Sequence, residues 1–157
     1  MGSTLTRKVV AALVLAAVGC SACDIGVSPE STALGNRVAA ARAYAGHADT
    51  ALSRIRADAQ DYRPDQLAGL TYLADRVDAE LIWLEATPPP ICVSGQAGDY
   101  WTALQAFREL VTTAQEGLRK GDPLVANLVE QQTPIAMARL DDTVEALRES
   151  AASCVNG

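Results

Sequence analysis

STALGNRVAAARAYAGHADTALSRIRADAQDY, residues 31–62, decides the fold. Along it Leu34, Val38, Ala41, Ala45, Ala48, Leu52, Ile55, Ala59 and Tyr62 recur at alternating steps of four and three, the spacing of a heptad seam on one side of a helix. Arg37, Arg42, Asp49, Arg54 and Asp58 supply the polar side. Residues 31 to about 61 are therefore expected to form one long amphipathic helix, whose apolar stripe needs partners.

The rest of the chain supplies them. Arg63-Pro64-Asp65 interrupts the first run, because proline restricts the residue before it and suits the first turn of a new helix. A second helix then carries Leu67, Leu70, Ala74, Val77, Leu81 and Leu84, and ends before Pro88-Pro89-Pro90. From Thr87 to Asp99 the three prolines, with Gly95 and Gly98, are expected to make the longest connection, with a stiff polyproline segment spanning the bundle end. A third helix shows Tyr100, Leu104, Phe107, Val111, Ala114 and Leu118 and stops at Gly121, which suits the left-handed position after a helix. Arg119 and Lys120 complement the helix dipole there, and Asp122-Pro123 reads as the cap and first residue of a fourth helix.

Helix four is less regular. Leu124 and Leu128 begin one phase, Leu140, Val144, Leu147, Ala151 and Cys154 follow another, and Thr133-Pro134 lies between. A kink, or a break with Thr133 as a new cap, accounts for the change. It would open a pocket or simply adjust the packing.

Short connections at 62–65 and 121–123 make helices one and two, and three and four, antiparallel neighbours. The expected fold is all-α: an up-down-up-down four-helix bundle over residues 31–157, with a kinked or broken fourth helix. Hydrophobic residues make up 49% of the chain and aromatics only 4%, so the helices are Ala- and Leu-rich and closely packed. With 157 residues, one core is the expectation.

Cysteines stand at 20, 23, 92 and 154. Cys92 precedes helix three and Cys154 ends helix four, so both lie at one end of the bundle and are expected to form a disulfide. Cys20-Ser21-Ala22-Cys23 has the spacing of a redox or metal motif, but it has no partner pair and no following histidine.

Residues 1–19 have the charge order of a secretory signal peptide: Arg7 and Lys8, then an apolar run from Val9 to Val18, then Gly19 before Cys20. Ten apolar residues are too few to span a bilayer about 30 Å thick at 1.5 Å per helical residue. Ala17-Val18-Gly19-Cys20 resembles the bacterial lipobox, with Ala17 where leucine is usual. The resemblance implies that Cys20 receives a diacylglyceryl group, with fatty chains such as palmitate, and that residues 20–30 form a tether to the membrane. The alternative is a leader cut near Ala22, leaving a soluble secreted protein with a free Cys23. The Ala/Arg-rich helices and the proline-rich turn before a cysteine also resemble the small helical extracytoplasmic lipoproteins of high-GC actinobacteria, a likeness that implies no activity.

Of the 13 basic residues Arg7 and Lys8 belong to the leader, so 11 basic and 19 acidic residues remain in the mature part. Without a basic cluster, nucleic acid is not expected as a partner. His47 is the only histidine and is expected to be an ordinary boundary residue; a histidine-based zinc or haem site would lack ligands. No Glu-x-x-His pair, phosphate loop or GxSxG elbow occurs. Neither an enzyme nor a cofactor is expected.

Asp141, Asp142, Glu145 and Glu149 make an acidic stretch, either a patch for a basic partner or a solvated helix face. Trp83 and Trp101 flank the proline-rich turn and, with Pro89, are the candidate partner-binding residues if exposed together; if buried they belong to the core. The expected function is a membrane-anchored helical interaction module for an envelope protein. The alternatives are a carrier or sensor of a small apolar ligand between the helices near Pro134, and a structural envelope spacer.

Overall fold

A computed structural model describes residues 29–60 and 67–154. Cys20, Cys23, the leader and the Arg63-Pro64-Asp65 interruption lie outside them. Among the described residues four helices follow in order: α1 (Pro29–Gln60), α2 (Leu67–Ala86), α3 (Ser94–Lys120) and α4 (Pro123–Ser153), with a 3-10 turn at Ile91–Val93. They form an up-down-up-down bundle in which, among neighbouring helices, α3 and α4 pack most extensively and α1 and α2 least. Among the described residues there is no strand.

The core is the set of inward stripes predicted by the heptads. Ala41, Ala48, Ile55, Val77, Tyr100, Leu104, Leu140 and Leu147 have no solvent exposure. On α2 the stripe differs from expectation. Leu73 and Glu80 are buried, Leu67 is exposed and Leu81 is only half-buried. A three-residue step from Val77 reaches position 80, and a four-residue step reaches position 81; the helix turns the former inward.

Cys92 and Cys154 are bonded, with Cα atoms 5.7 Å apart. The Ser150 hydroxyl donates to the Cys92 carbonyl at 2.8 Å, a second tie between the connection and α4.

The connection into α3 is shorter than expected, because α3 starts at Ser94 and includes Gly95 and Gly98. Each glycine costs about 1 kcal/mol against alanine inside a helix. Burial of Val93, Ala97 and Tyr100 on that turn, beside the disulfide, outweighs this cost.

The α3–α4 turn follows the sequence closely. Gly121 takes φ 68°, its N–H donates to the Leu118 carbonyl, and the Asp122 N–H donates to Gly117. This is a Schellman stop. The Asp122 carboxylate then accepts from the Leu124 N–H at 2.9 Å, capping α4 with Pro123 in its first turn. A side chain on Gly117 would meet Val125 at 2.2 Å, so glycine there lets the two helices converge.

Between the kinked and broken alternatives, α4 runs on as a single helix with Pro134 inside it. Pro134 and Glu130 are both exposed, where water replaces the lost backbone donor. The Thr133 hydroxyl caps nothing and instead donates back to the Val129 carbonyl at 2.7 Å. The inward stripe is continuous through the proline, by way of Val129, Met137 and Leu140. Leu124 and Leu128, read from the sequence as an inward phase, face solvent.

Ion pairs between Asp49 and Arg148 (3.8 Å) and between Arg56 and Asp141 fix the antiparallel register of α1 and α4. That register sets Cys154 about level with Ala43. The first twelve residues of α1, about 18 Å of helix, therefore project beyond the disulfide end. Consistently, none of residues 32–40 is buried, and only Leu34 and Val38 are half-buried.

Candidate functional site

The least packed seam between neighbouring helices, that of α1 and α2, holds the most buried acid among the described residues. Glu80 points inward from α2 and is 5% exposed. The imidazole Nε2 of His47 on α1 lies 2.9 Å from one carboxylate oxygen, and the Tyr100 hydroxyl on α3 donates to the other at 3.4 Å. A single side chain thus links three helices.

The heptads dictate this meeting. His47 flanks the α1 seam beside Ala48, Glu80 sits in the α2 stripe, and Tyr100 opens the α3 stripe. Trp83, one turn beyond Glu80, stacks on the His47 ring at 3.5 Å and tilts against Tyr44 at 5.1 Å. The stack holds the imidazole in line with the carboxylate.

Burial pushes the Glu80 carboxyl above its ordinary range, partly offset by the hydrogen bond from His47, by the charge of His47 and by the hydrogen bond from Tyr100. The Tyr100 hydroxyl is pushed far up by its own burial and then by Glu80, and Tyr44 is raised by the same two causes. Beside this cluster runs an open cleft of about 480 Å³, with Gly46, Thr50 and Arg54 on one wall and Arg76, Ala79 and Trp83 on the other. Arg76 is held by Asp58 at 3.0 Å and by the Tyr72 hydroxyl at 2.6 Å.

Chemically, the cluster can hold and release a proton at a buried carboxyl next to water. Among the described residues, no three of His, Cys, Asp or Glu gather in a way that could hold a metal ion.

His47 is half-buried at the edge of the α1 seam, as a surface or boundary residue would be, and is in addition the partner of a buried acid. Glu80 was not singled out in the sequence. Its signal was position: three residues after Val77 and four before Leu84, it falls inside the apolar stripe.

Trp83 and Trp101 are both half-buried against the core, on α2 and α3. The aromatic contacts of Trp83 go to Tyr44 and His47, and none among the described residues joins it to Trp101. Pro89 is half-buried in the connection.

In the acidic stretch, Asp141 pairs with Arg56, and Glu145 with Arg148 at 3.0 Å. No described helix is long and apolar enough to cross a membrane.

Apolar side chains are exposed at Tyr72, Ile82 and Ile91, and two further surface features lie on α4. One is the outer face of α4, where Leu124 is 72% exposed, Leu128 43% and Ile135 63%. The other is an open cleft of about 420 Å³ beside Pro134, floored by Ala59, Met137 and Ala138 and edged by Arg56 and Asp141. No protein-family model, no curated protein and no solved structure matches this chain.

Proposed function

We propose that the chain is an extracytoplasmic lipoprotein anchored through Cys20, and that its bundle is a non-catalytic interaction module for another protein of the cell envelope. The observation that carries the interaction reading is the outer face of α4. At 100° per residue, Leu124, Leu128 and Ile135 fall within about 40° of one another around the helix axis. Glu130 is the only charged residue from Pro123 to Ala138, in a chain one-fifth charged. These leucines and this isoleucine do not serve the core; with Gln131 between them they make one exposed, uncharged helix face, and large apolar side chains gathered on one face of a folded domain mark a contact site.

Polarity supports the same reading. The tether enters at the start of α1, at the disulfide end, whereas the apolar face lies at the α3–α4 turn, the opposite end. Residues 20–28 reach at most about 30 Å when extended, and the projecting turns of α1 add a spacer of about 18 Å. A lipid on Cys20 would thus leave the α4 face on the half of the bundle farther from the membrane, open to other proteins.

The cleft beside Pro134 favours a second reading, a carrier of a small apolar ligand on the Ala59, Met137 and Ala138 floor. A photo-reactive residue at position 128, with position 116 on α3 as control, separates the two in the native host. A discrete protein adduct from 128 alone supports the module. Absence of any adduct, or the same adducts from both positions, removes it. A stoichiometric organic ligand in native mass spectra, lost on Met137→Arg, would put the carrier first.

A further inference from the structure

We propose that the α1–α2 seam is a pH-dependent latch, closed while the Glu80 carboxyl is protonated and opening into the adjoining cleft as it ionises. The argument rests on where Glu80 sits. It lies in the most lightly packed seam between neighbouring helices, 5% exposed beside the His47–Trp83 stack, and together with His47 and Trp83 it borders an open cleft of about 480 Å³.

An ionised carboxylate accepts about four hydrogen bonds, and the closed seam offers two, of which the one from Tyr100 is long at 3.4 Å. A protonated carboxyl needs fewer and carries no charge to hydrate. Ionisation therefore favours any movement that brings Glu80 to water, and the nearest water is in the cleft. Only the α1–α2 contact has to loosen for this, because the disulfide and the main packing lie between α3, α4 and the connection.

The groups facing Glu80 are few. From α1 come His47, Tyr44 and the Arg54 guanidinium; from α3 comes Tyr100; on its own helix Arg76 edges the cleft but is held by Asp58 and Tyr72. Helix α4 lies across the bundle from α2. His47 and Arg54 favour the ionised form, yet burial outweighs them and the balance for Glu80 is upward. The sign follows: a raised carboxyl favours the closed state fully at low pH, and that preference fades as pH rises through its folded value.

Hydrogen exchange on the full chain, corrected for the intrinsic pH dependence of exchange, tests the latch. Opening of the α1 and α2 amides around His47 and Glu80 is expected to rise by up to about tenfold per pH unit over the Glu80 transition, while the α3 and α4 amides stay level. In Glu80→Gln the slope disappears. In His47→Gln the slope persists and its midpoint moves up, because the imidazole charge that favours the carboxylate is lost.

Three results overturn the proposal. They are an equal slope in all four helices, a slope that survives Glu80→Gln, and a slope that vanishes in His47→Gln alone. If Glu80→Gln does not fold, the wild-type Glu80 carboxyl carbon shift decides: a midpoint at the ordinary carboxylate value sinks the latch, and a raised one coincident with the exchange transition sustains it.

Discussion

His47 Nε2 stands 2.9 Å from Oε2 of Glu80, across the seam between α1 and α2. The pair is asymmetric, since the histidine side chain is 38% exposed and the glutamate side chain 6%. One partner meets water and the other does not. The consequences of breaking the pair therefore depend on the charge of the buried member.

His47→Ala leaves the Glu80 carboxylate with Tyr100 as its remaining hydrogen-bond donor. A buried acceptor deprived of a partner costs about 1–3 kcal/mol. The loss should be larger at pH 7.5 than at pH 4. Glu80 has a raised folded value, so its contribution is fully present at low pH and is lost as pH rises; removing the donor raises that value further and widens the loss. Urea unfolding at the two pH values checks the sign, and an equal or larger loss at pH 4 would contradict it.

The disulfide closes a separation of 62 residues. On the chain-entropy account, removing it from the unfolded state costs about 4 kcal/mol. Cys92→Ser with Cys154→Ser should unfold at markedly lower temperature while keeping its helical signal. An unchanged melting temperature would show that packing of α3 on α4 alone holds this end.

Glycines in the helices divide by their surroundings. A Cβ at Gly95 or Gly98 meets nothing within 4 Å, so Gly95→Ala and Gly98→Ala should each stabilise by about 0.5–1 kcal/mol. Gly117→Ala should do the reverse, because its methyl group would push into Val125. Thermal melts of the three variants give the two signs directly.

These glycines also show what was legible in the sequence. Gly121 was read correctly because a stop signal is local: a left-handed residue, basic neighbours and Asp-Pro beyond it all act within one turn. Gly95 and Gly98 point to a connection in the sequence because their cost is local too. What overrides it is burial of Ala97 and Tyr100 and a bond to Cys154, all dependent on contacts far along the chain.

Glu80 was missed for a related reason. Apolar spacing identifies a stripe to within one residue, and choosing Glu80 over Leu81 requires knowing that His47 and Tyr100 stand opposite. Leu124 and Leu128 misled in the same way, since apolar residues on an outer face look like core until the inward stripe through Val129 and Met137 is seen. The helices themselves were legible because their seams repeat over many turns.

The α4 face separates folding from recognition most directly. Leu124 and Ile135 are mostly exposed, so Leu124→Glu and Ile135→Glu remove little buried area and should change stability by less than about 0.5 kcal/mol. The same changes put two charges on a face that otherwise has none, and charges at the centre of a contact surface are strongly disfavoured. If this face receives a partner, the double variant should lose the crosslinked adduct at position 128 while melting like the wild type. Cys20→Ser supplies the complementary result: it should release the protein from membranes and leave the purified bundle unchanged. A double variant that melts much lower would mean that the α4 face is covered within the chain itself, and a Cys20→Ser protein that stays on membranes would move the anchor elsewhere.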